Sequence, residues 1–347
     1  MTTYRVVQWA TGNIGTRSLR GVIEHPDLSL AGLLVYSPDK AGRDAGDLCG
    51  LDATGVVATT ELDDVLELGA DCVLYMPRMC VFDEVCRLLE SGTNIVTTRG
   101  EFHHPAGMDP TLRKRIEAAC RDGGTSIHST GSSPGFITEA VPLVLTSIQR
   151  ELDHLVIEEF ADLSKRDSPE LLFDLMGFGA DPGTFDSSRW SHGAQSFGPS
   201  LRGLADALSL PLDAVEADGE IALARQTTEI AAGELEAGTV AAQRMRVSGR
   251  RRGRELLGFV ANWYCTSDLA PAWDLGPTGW RLTVAGDAPL DIEMRFAVPL
   301  DDMAASSPGY TANRAVNAVP VVCQAAPGIR TTGDLPQVIG VLRDPAS

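Results

Sequence analysis

The stretch YRVVQWATGNIG, residues 4–15, decides the fold class. A short run rich in β-branched and aromatic residues ends in a glycine turn, and helical apolar spacing follows as far as His25. Strands and helices then alternate up to Ser129, so the sequence predicts an N-terminal α/β domain of Rossmann type, a doubly wound parallel sheet of about six strands. The predicted strands are 4–10, 30–36, 71–75, 94–97 and 125–129, and the later predicted helices are 61–68, 81–89 and 110–121.

The turn ATGNIG matches the dinucleotide-binding pattern G-x-G-x-x-G, with Ala10 in place of the first glycine. Gly12 would let backbone N–H groups approach a pyrophosphate, and Gly15 would let helix and strand pack closely. Asn13 and Ile14 lie between them at the N-terminus of the helix, which carries partial positive charge. We therefore expect this turn to bind a dinucleotide; the alternative is a merely structural turn.

A second domain begins after the helix that ends near residue 150. Long alternating runs there predict a second α+β domain with a largely antiparallel sheet, and its predicted strands are 152–160, 220–232, 236–249 and 255–265. Helices are predicted at 168–176, 201–208 and 311–325, and the last of these could return to the first domain. We expect a dinucleotide-binding domain at 1–135, completed by a return segment at 309–347, and the second domain at 136–308.

Composition and charge exclude several functions. A chain of 347 residues exceeds one small domain. With 29 Lys and Arg against 47 Asp and Glu, its net charge of -18 repels phosphate backbones and anionic lipids, so neither nucleic acid nor membrane is an expected partner. The one basic cluster, residues 250–254, is interpreted as a hairpin tip in water. The absence of a signal peptide predicts a cytoplasmic protein, and seven cysteines without a C-x-x-C pair predict reduced thiols.

The loop after the second predicted strand bears on the choice of cofactor. In NAD sites an acidic residue about 20 positions beyond the glycines bonds the ribose hydroxyls. Here Ser37, Lys40 and Arg43 stand near that place, and a hydroxyl with two cations favours the 2′-phosphate of NADP. Asp39 leaves NAD open as a second cofactor, and the two cations could also be plain solvated charges. We expect NADP to be preferred, with NAD possible.

Ligands of open α/β sheets lie beyond the carboxyl ends of the strands, so the segments that follow the strands are candidate sites. Glu101, after the fourth of the strands listed above, offers a proton-transfer group where the nicotinamide end of an extended dinucleotide could fall. We take Glu101 as the catalytic candidate; the alternatives are a surface carboxylate or an ion pair with Arg99. The candidate cofactor contacts at these strand ends are Met76, Pro77, Thr98, Arg99, Pro134 and Gly135.

Two local patterns suggest other chemistries. His103 and His104 closely follow Glu101, but adjacent side chains point in different directions, so we expect no metal. Residues 131–135, GSSPG, satisfy the nucleophile-elbow pattern of hydrolases. That elbow uses the backbone N–H after the serine, which a proline lacks, so a hydrolase is not expected. The turn would instead let the backbone pass close to the cofactor, with Phe136 facing the substrate.

Four segments together resemble one group of proteins: ATGNIG, TTRGEF, GSSPGF, and TANRAVNAVP at 311–320 followed by APGI. They are similar to the dihydrodipicolinate-reductase-like family, and more closely to its branch of 2,4-diaminopentanoate dehydrogenase and native NAD(P)H-dependent amine dehydrogenases. The resemblance spans almost the whole chain. True dihydrodipicolinate reductases carry a histidine pair with a lysine in the second domain, where this chain has only His154 and His192, so that activity is not expected.

The resemblance implies the key glutamate at Glu101, a further cofactor contact at Asn317, and a substrate pocket and homodimer interface in the second domain. It implies reductive amination of a small ketone or aldehyde with ammonia, and the reverse oxidative deamination of an amine. The alternatives are an NADPH-dependent cyclic imine or carbonyl reductase and a non-catalytic NADP-binding sensor. The implied pocket residues are Phe136, Phe173, Met176 and Thr311. Phe173 and Met176 could also belong to the core.

Overall fold

The computed structural model describes residues 3–342 and contains two compact units. Unit 1 comprises residues 1–140 and 308–347, and unit 2 comprises residues 141–307. The strands are β1 (Tyr4–Trp9), β2 (Leu28–Leu34), β3 (Ala58–Thr59), β4 (Cys72–Tyr75), β5 (Asn94–Thr97), β6 (Ser126–Ser129), β7 (Leu152–Asp162), β8 (Ala214–Ala224), β9 (Thr228–Ile230), β10 (Gly233–Leu235), β11 (Val240–Arg251), β12 (Arg254–Tyr264), β13 (Leu269–Ala270), β14 (Gly279–Gly286), β15 (Leu290–Arg295) and β16 (Gly328–Arg330). The helices are α1 (Asn13–Glu24), α2 (Ala45–Cys49), α3 (Leu62–Glu67), α4 (Phe82–Glu90), α5 (Pro110–Gly123), α6 (Val141–Thr146), α7 (Arg189–Ala207) and α8 (Leu300–Cys323).

Unit 1 is built on a parallel sheet in the order β16-β6-β5-β4-β1-β2-β3. The order β3-β2-β1-β4-β5-β6 is that of doubly wound dinucleotide-binding folds, and β16 extends it at one edge. The predicted α/β class is therefore confirmed. The sequence did not indicate β3 and β16, because two and three residues are too few to show a periodic pattern.

The core of unit 1 lies on both faces of this sheet. Successive strand residues point to opposite faces, so Val6 packs with the α1 and α8 side chains Val22 and Val319, whereas its neighbour Val7 shares a cluster with Ile116 of α5. Burial on both faces explains why the strands read as continuous apolar runs instead of alternating ones.

Unit 2 is built on a seven-stranded sheet in the order β13-β8-β11-β12-β7-β14-β15. Neighbours are antiparallel except β7 and β12, which run parallel, so the largely antiparallel sheet is confirmed. Helix α7 covers one face, where Phe197 stacks on Phe259 of β12 at 4.0 Å between ring centroids. The basic run does form a hairpin tip between β11 and β12, with Arg252 and Gly253 at positive φ.

Several predicted elements of unit 2 have different bounds. The run expected as one strand at 220–232 divides into the end of β8 and the short strand β9, and β14 and β15 were not expected. Helix α7 begins twelve residues before the predicted start. The prediction placed the start too late because Gly193 and Pro199 are residue types that usually interrupt helices. Packing overrides that local signal: a Cβ on Gly193 would lie 2.0 Å from Met245 Sδ, so the glycine permits close helix–sheet contact. Within residues 3–342, no helix combines the length and the apolar content that crossing a membrane requires.

Candidate active site

The carboxyl ends of the strands in unit 1 form one row. Register pairs Trp9 with Tyr75, Tyr75 with Thr97, and Thr97 with Ser129 across β1, β4, β5 and β6. The glycine turn, Met76 with Pro77, the Glu101 turn and the GSSPGF segment each follow one member of that row. With adjacent strands about 4.8 Å apart, the glycine turn after β1 and the Glu101 turn after β5 begin roughly 10 Å from each other.

The glycine turn joins β1 closely to α1. A Cβ on Gly15 would lie 2.2 Å from the carbonyl oxygen of Ala10, so only glycine allows this packing. Ala10 has φ 71°, the left-handed conformation that favours glycine. In contrast, a Cβ on Gly12 would meet nothing within 4 Å. The turn therefore has a tightly packed inner side at Gly15 and open space at Gly12.

The N-terminus of α1 offers backbone donors to a ligand. Gly12 is the N-cap residue, no side chain caps the helix, and its first turn holds no acidic residue. The first N–H groups of a helix have no intrahelical partner, and with the helix dipole they favour an anion. Asn13 and Ile14 begin the helix, and Arg17 donates to the carbonyl of Asn13 at 2.9 Å. Uncapped donors, open space and a nearby cation fit a pyrophosphate.

The loop after β2 brings a lysine to this turn. Lys40 Nζ donates to the carbonyl oxygen of Thr11 at 2.9 Å and to its hydroxyl at 3.0 Å. The Ser37 carbonyl accepts the backbone N–H of Lys40 at 3.0 Å, which closes the loop, and Arg43 is exposed in the same loop. Sequence reasoning placed Lys40 near the ribose but missed Thr11, since the x position of a glycine motif carries no signal of its own.

Glu101 lies in a short helical turn after β5, Gly100–Phe102. Arg99 contacts it at 2.6 Å, from Nη2 to Oε1, and the same guanidinium donates to the carbonyl of Arg78 at 2.8 Å. The ion pair with Arg99 is thus present. The other carboxylate oxygen, Oε2, is buried and has no hydrogen-bond partner among residues 3–342. One oxygen of Glu101 is held by Arg99, and the second has no hydrogen-bond partner in the described part of the chain.

The backbone of this turn is fixed to β6. Phe102 is fully buried, its N–H donates to Ser129 Oγ at 3.2 Å, and that hydroxyl donates to the carbonyl of Arg99 at 2.6 Å. Cys80 lies within electrostatic range of Glu101, and its pKa rises to about 12, first through burial and then through the Glu101 charge. Cys80 is consequently a neutral thiol beside the carboxylate.

The His103 side chain contacts a carboxylate other than that of Glu101. Its ring is buried, and Nδ1 lies 2.6 Å from Glu139 Oε1. Across the described part of the chain, His, Cys, Asp and Glu form no cluster of three or more that could hold a metal ion.

The GSSPGF segment turns sharply after β6. Gly135 has φ 119° and donates its N–H to Thr138 Oγ1 at 2.9 Å, and Pro134 follows a serine with ordinary extended torsions. The strained serine of a nucleophile elbow is therefore missing at Ser133. Ser132 Oγ bonds Thr311 Oγ1 at 2.6 Å, which ties this segment to α8.

The remaining cofactor candidates lie along the same edge or on α8. Met76 and Pro77 are buried directly after β4, and the Met76 N–H donates to the carbonyl of Trp9 at 3.2 Å. Thr98 is half-buried directly after β5. Asn317 lies on α8. Its amide group lies next to Gly340, where an added Cβ would be 3.3 Å from the amide nitrogen.

The four pocket candidates divide between the units. In unit 1, Thr311 bonds the GSSPGF segment and the Phe136 ring lies 5.8 Å from the Arg314 guanidinium. In unit 2, Phe173 and Met176 are half-buried and pack against an apolar cluster around Phe178. Phe173 and Met176 therefore belong to the edge of the unit 2 core, and their role in a pocket stays a prediction.

Comparison with known proteins places this geometry in a class. An amine dehydrogenase of Streptomyces virginiae is 28% identical over 344 residues, covering 95% of both chains. A 2,4-diaminopentanoate dehydrogenase of Acetoanaerobium sticklandii is 25% identical over 116 residues, 33% of both chains. The structure of an amine dehydrogenase from Mycobacterium smegmatis superposes with a TM-score of 0.75 at 21% identity and covers 97% of both chains, a likeness of fold.

The two sequence relatives identify the chain as an oxidoreductase, which confirms the predicted enzyme class. The family model of the 2,4-diaminopentanoate dehydrogenase C-terminal domain matches residues 136–346, more than half of the chain. The chain belongs to this family, and the family prediction from the sequence motifs is confirmed.

Proposed function

We propose that the protein is an NAD(P)H-dependent amine dehydrogenase that reductively aminates small ketones or aldehydes with ammonia and catalyses the reverse deamination. The observation that carries this proposal is the buried, unpartnered Oε2 of Glu101 at the strand edge that also holds the glycine turn. The 28% identity to an amine dehydrogenase over 95% of the chain supports it.

The glycine turn would hold the cofactor. Backbone donors at the start of α1 would bind the pyrophosphate, with Gly12 leaving the space that the phosphates need. The bound nicotinamide cofactor would supply the hydride that the reaction consumes. From the phosphates, the dinucleotide would extend along the strand ends past Met76 and Thr98 toward Glu101.

Glu101 would handle ammonia and protons. Its free oxygen would accept a hydrogen bond from ammonium beside the carbonyl carbon, take a proton, and then assist loss of water from the carbinolamine. A carboxylate close to the resulting iminium also stabilises its positive charge, more strongly where water is excluded. Arg99 would keep the carboxylate orientation fixed through Oε1. A small apolar carbonyl substrate would face Phe136.

NADP is the proposed preferred cofactor. Lys40 is held beside the turn by Thr11, and Arg43 lies exposed in the same loop, so both cations are near the place where an adenosine ribose would lie. A 2′-phosphate would compete with Thr11 for the Lys40 ammonium and gain a charge-assisted bond. Asp39 in the same loop is the group that could instead accept the ribose hydroxyls of NAD.

The test is oxidation of NADPH and NADH by the purified protein with a panel of small ketones and aldehydes, each with and without high ammonium at alkaline pH. The proposal expects oxidation that depends on ammonium and is faster with NADPH. Oxidation of equal rate without ammonium would instead identify a carbonyl reductase, and cofactor binding without any turnover, also with cyclic imines, would identify a sensor. The proposed homodimer is checked separately by light scattering of the eluted protein.

A further inference from the structure

Directly behind the Glu101 turn lies a buried polar contact that the proposed chemistry does not use. The side chains of His103 and Glu139 are 2% and 4% exposed, and Nδ1 lies 2.6 Å from Oε1. The two atoms are at ion-pair distance. Burial of a carboxylate is costly without polar partners, so a pair this deeply placed requires an explanation.

Glu139 connects three segments that are distant in sequence. Its Oε1 faces His103, which is two residues after Glu101, and its Oε2 accepts a hydrogen bond from the hydroxyl of Thr332 near the C-terminus. Glu139 itself lies four residues after Gly135, in the helical stretch that follows the GSSPGF turn. One carboxylate therefore links the Glu101 turn, the GSSPGF segment and the C-terminal return.

Other polar groups lie around this contact. His128 on β6 is fully buried, and burial lowers its pKa to about 4, so it is a neutral ring; the charge of Glu139 acts on this pKa in the opposite direction. Its Nδ1 lies 2.8 Å from the carbonyl of Arg330. Arg314 on α8 is mostly buried, and the charge of Glu139 partly offsets the lowering of its pKa by burial. The carboxylate thus has polar neighbours from β6, α8 and the C-terminal return.

We propose that His103 and Glu139 are positioning residues, whose buried contact holds the Gly100–Phe102 turn so that Glu101 Oε2 stays aimed at the substrate. The inference rests on the proposed role of Glu101. Bonds to Arg99 and Ser129 fix the first side of the turn, and the His103 contact fixes the second. Misplacement of a reacting group by about 1 Å can cost 100-fold in rate, so a contact two residues away is sufficient to control kcat.

The decisive comparison is His103→Leu against His103→Asn. Leucine fills the space but cannot contact Glu139, whereas the asparagine amide nitrogen can take the position of Nδ1. We expect His103→Leu to lower kcat by about 10- to 100-fold with KM for NADPH within about twofold of wild type, and His103→Asn to restore most of kcat. Rates are normalised to bound NADPH, so a partly unfolded sample does not mimic the effect.

His25→Leu is the matched control. His25 is also a buried histidine of unit 1, and it follows α1 at the end opposite to the glycine turn. Loss of stability without loss of kcat is expected there. Thr332→Val is the milder variant: it removes one bond to Glu139 and should lower kcat by about threefold even if His103→Leu does not fold.

Hydrogen exchange of the peptide that spans residues 99–104 provides a readout without turnover. Exchange should accelerate in His103→Leu and Thr332→Val but not in His25→Leu, while the peptide over residues 10–16 stays protected. If the wild type shows no ammonium-dependent activity, the proposed function fails, and the exchange result still decides the positioning role. Unchanged exchange at 99–104 in both variants, or full kcat in His103→Leu, would overturn the inference.

Discussion

The glycine turn after β1 and the glutamate turn after β5 lie on one edge of one sheet but are constructed differently. The first is held by backbone packing, with Gly15 against the carbonyl of Ala10, and faces open space at Gly12. The second is held by side chains: the neighbouring Arg99 and, from distant segments, Ser129 and, through His103, Glu139. A phosphate needs donors that any backbone provides, whereas a proton-transfer group needs one fixed orientation, and fixed orientation requires side-chain contacts.

The largest expected effect is at the glutamate turn. Glu101→Gln keeps the shape of the side chain and removes proton transfer, so kcat for amination should fall by about 10²- to 10⁴-fold. The cofactor dissociation constant should stay within about twofold of wild type, because the glycine turn is untouched. Steady-state kinetics together with a fluorescence titration of NADPH measure both quantities. Near-normal kcat in this variant would exclude Glu101 as the catalytic group.

The second prediction compares the two glycines of the other turn. Gly15→Ala places a methyl group 2.2 Å from a backbone oxygen, and the overpacking should cost about 2–3 kcal/mol of unfolding free energy. Gly12→Ala meets no protein atom, so stability should change little while NADPH binding weakens. Denaturant unfolding and cofactor titration of both variants provide the contrast. Equal loss of stability in the two would show that the turn is not open at Gly12.

A smaller effect is expected in the loop after β2. Lys40→Ala should raise the dissociation constant of NADPH by about tenfold and leave that of NADH nearly unchanged, because only the 2′-phosphate gains from this cation. Arg43→Ala, in the same loop but exposed, is the companion variant and should have a weaker effect of the same sign. Isothermal titration of both variants with NADPH and with NADH measures these dissociation constants. A parallel loss of NADH affinity would place Lys40 at the pyrophosphate instead.

The smallest effect is expected at the position where alanine replaces the first motif glycine. Ala10 has φ 71°, and Ala10→Gly should relieve that conformation and raise the unfolding free energy by up to about 1 kcal/mol. The gain is limited because glycine also loses more backbone entropy on folding. Thermal unfolding of Ala10→Gly measures this gain. A melting temperature below that of the wild type would contradict the prediction.

The sequence predicted the glycine turn after β1 better than the glutamate turn after β5. Gly12 and Gly15 follow a strand and open a helix at a spacing that has one physical meaning, so the parallel sheet and the turn could be predicted from local pattern. Glu101 could be proposed from its place after β5, because strand ends share an edge. Glu139 could not be, since its partners are 36 and 193 residues away and no local pattern encodes such contacts.

Unit 2 shows the same limit. Its long strands were recognised from alternation, but β14, β15 and the early start of α7 depend on tertiary packing, such as Gly193 against Met245. The pocket candidates Phe173 and Met176 carry helical apolar spacing that core residues share, so the pattern alone does not separate pocket from core.

The most direct test of the central claim is the fate of nitrogen. The purified protein is incubated with NADPH, a panel of small ketones and aldehydes, and ¹⁵N-labelled ammonium, and the products are analysed by mass spectrometry. The account predicts ¹⁵N-labelled amines from the wild type and about 100-fold less from Glu101→Gln at equal cofactor occupancy. Alcohols without nitrogen, or labelled amines formed equally fast by Glu101→Gln, would contradict it.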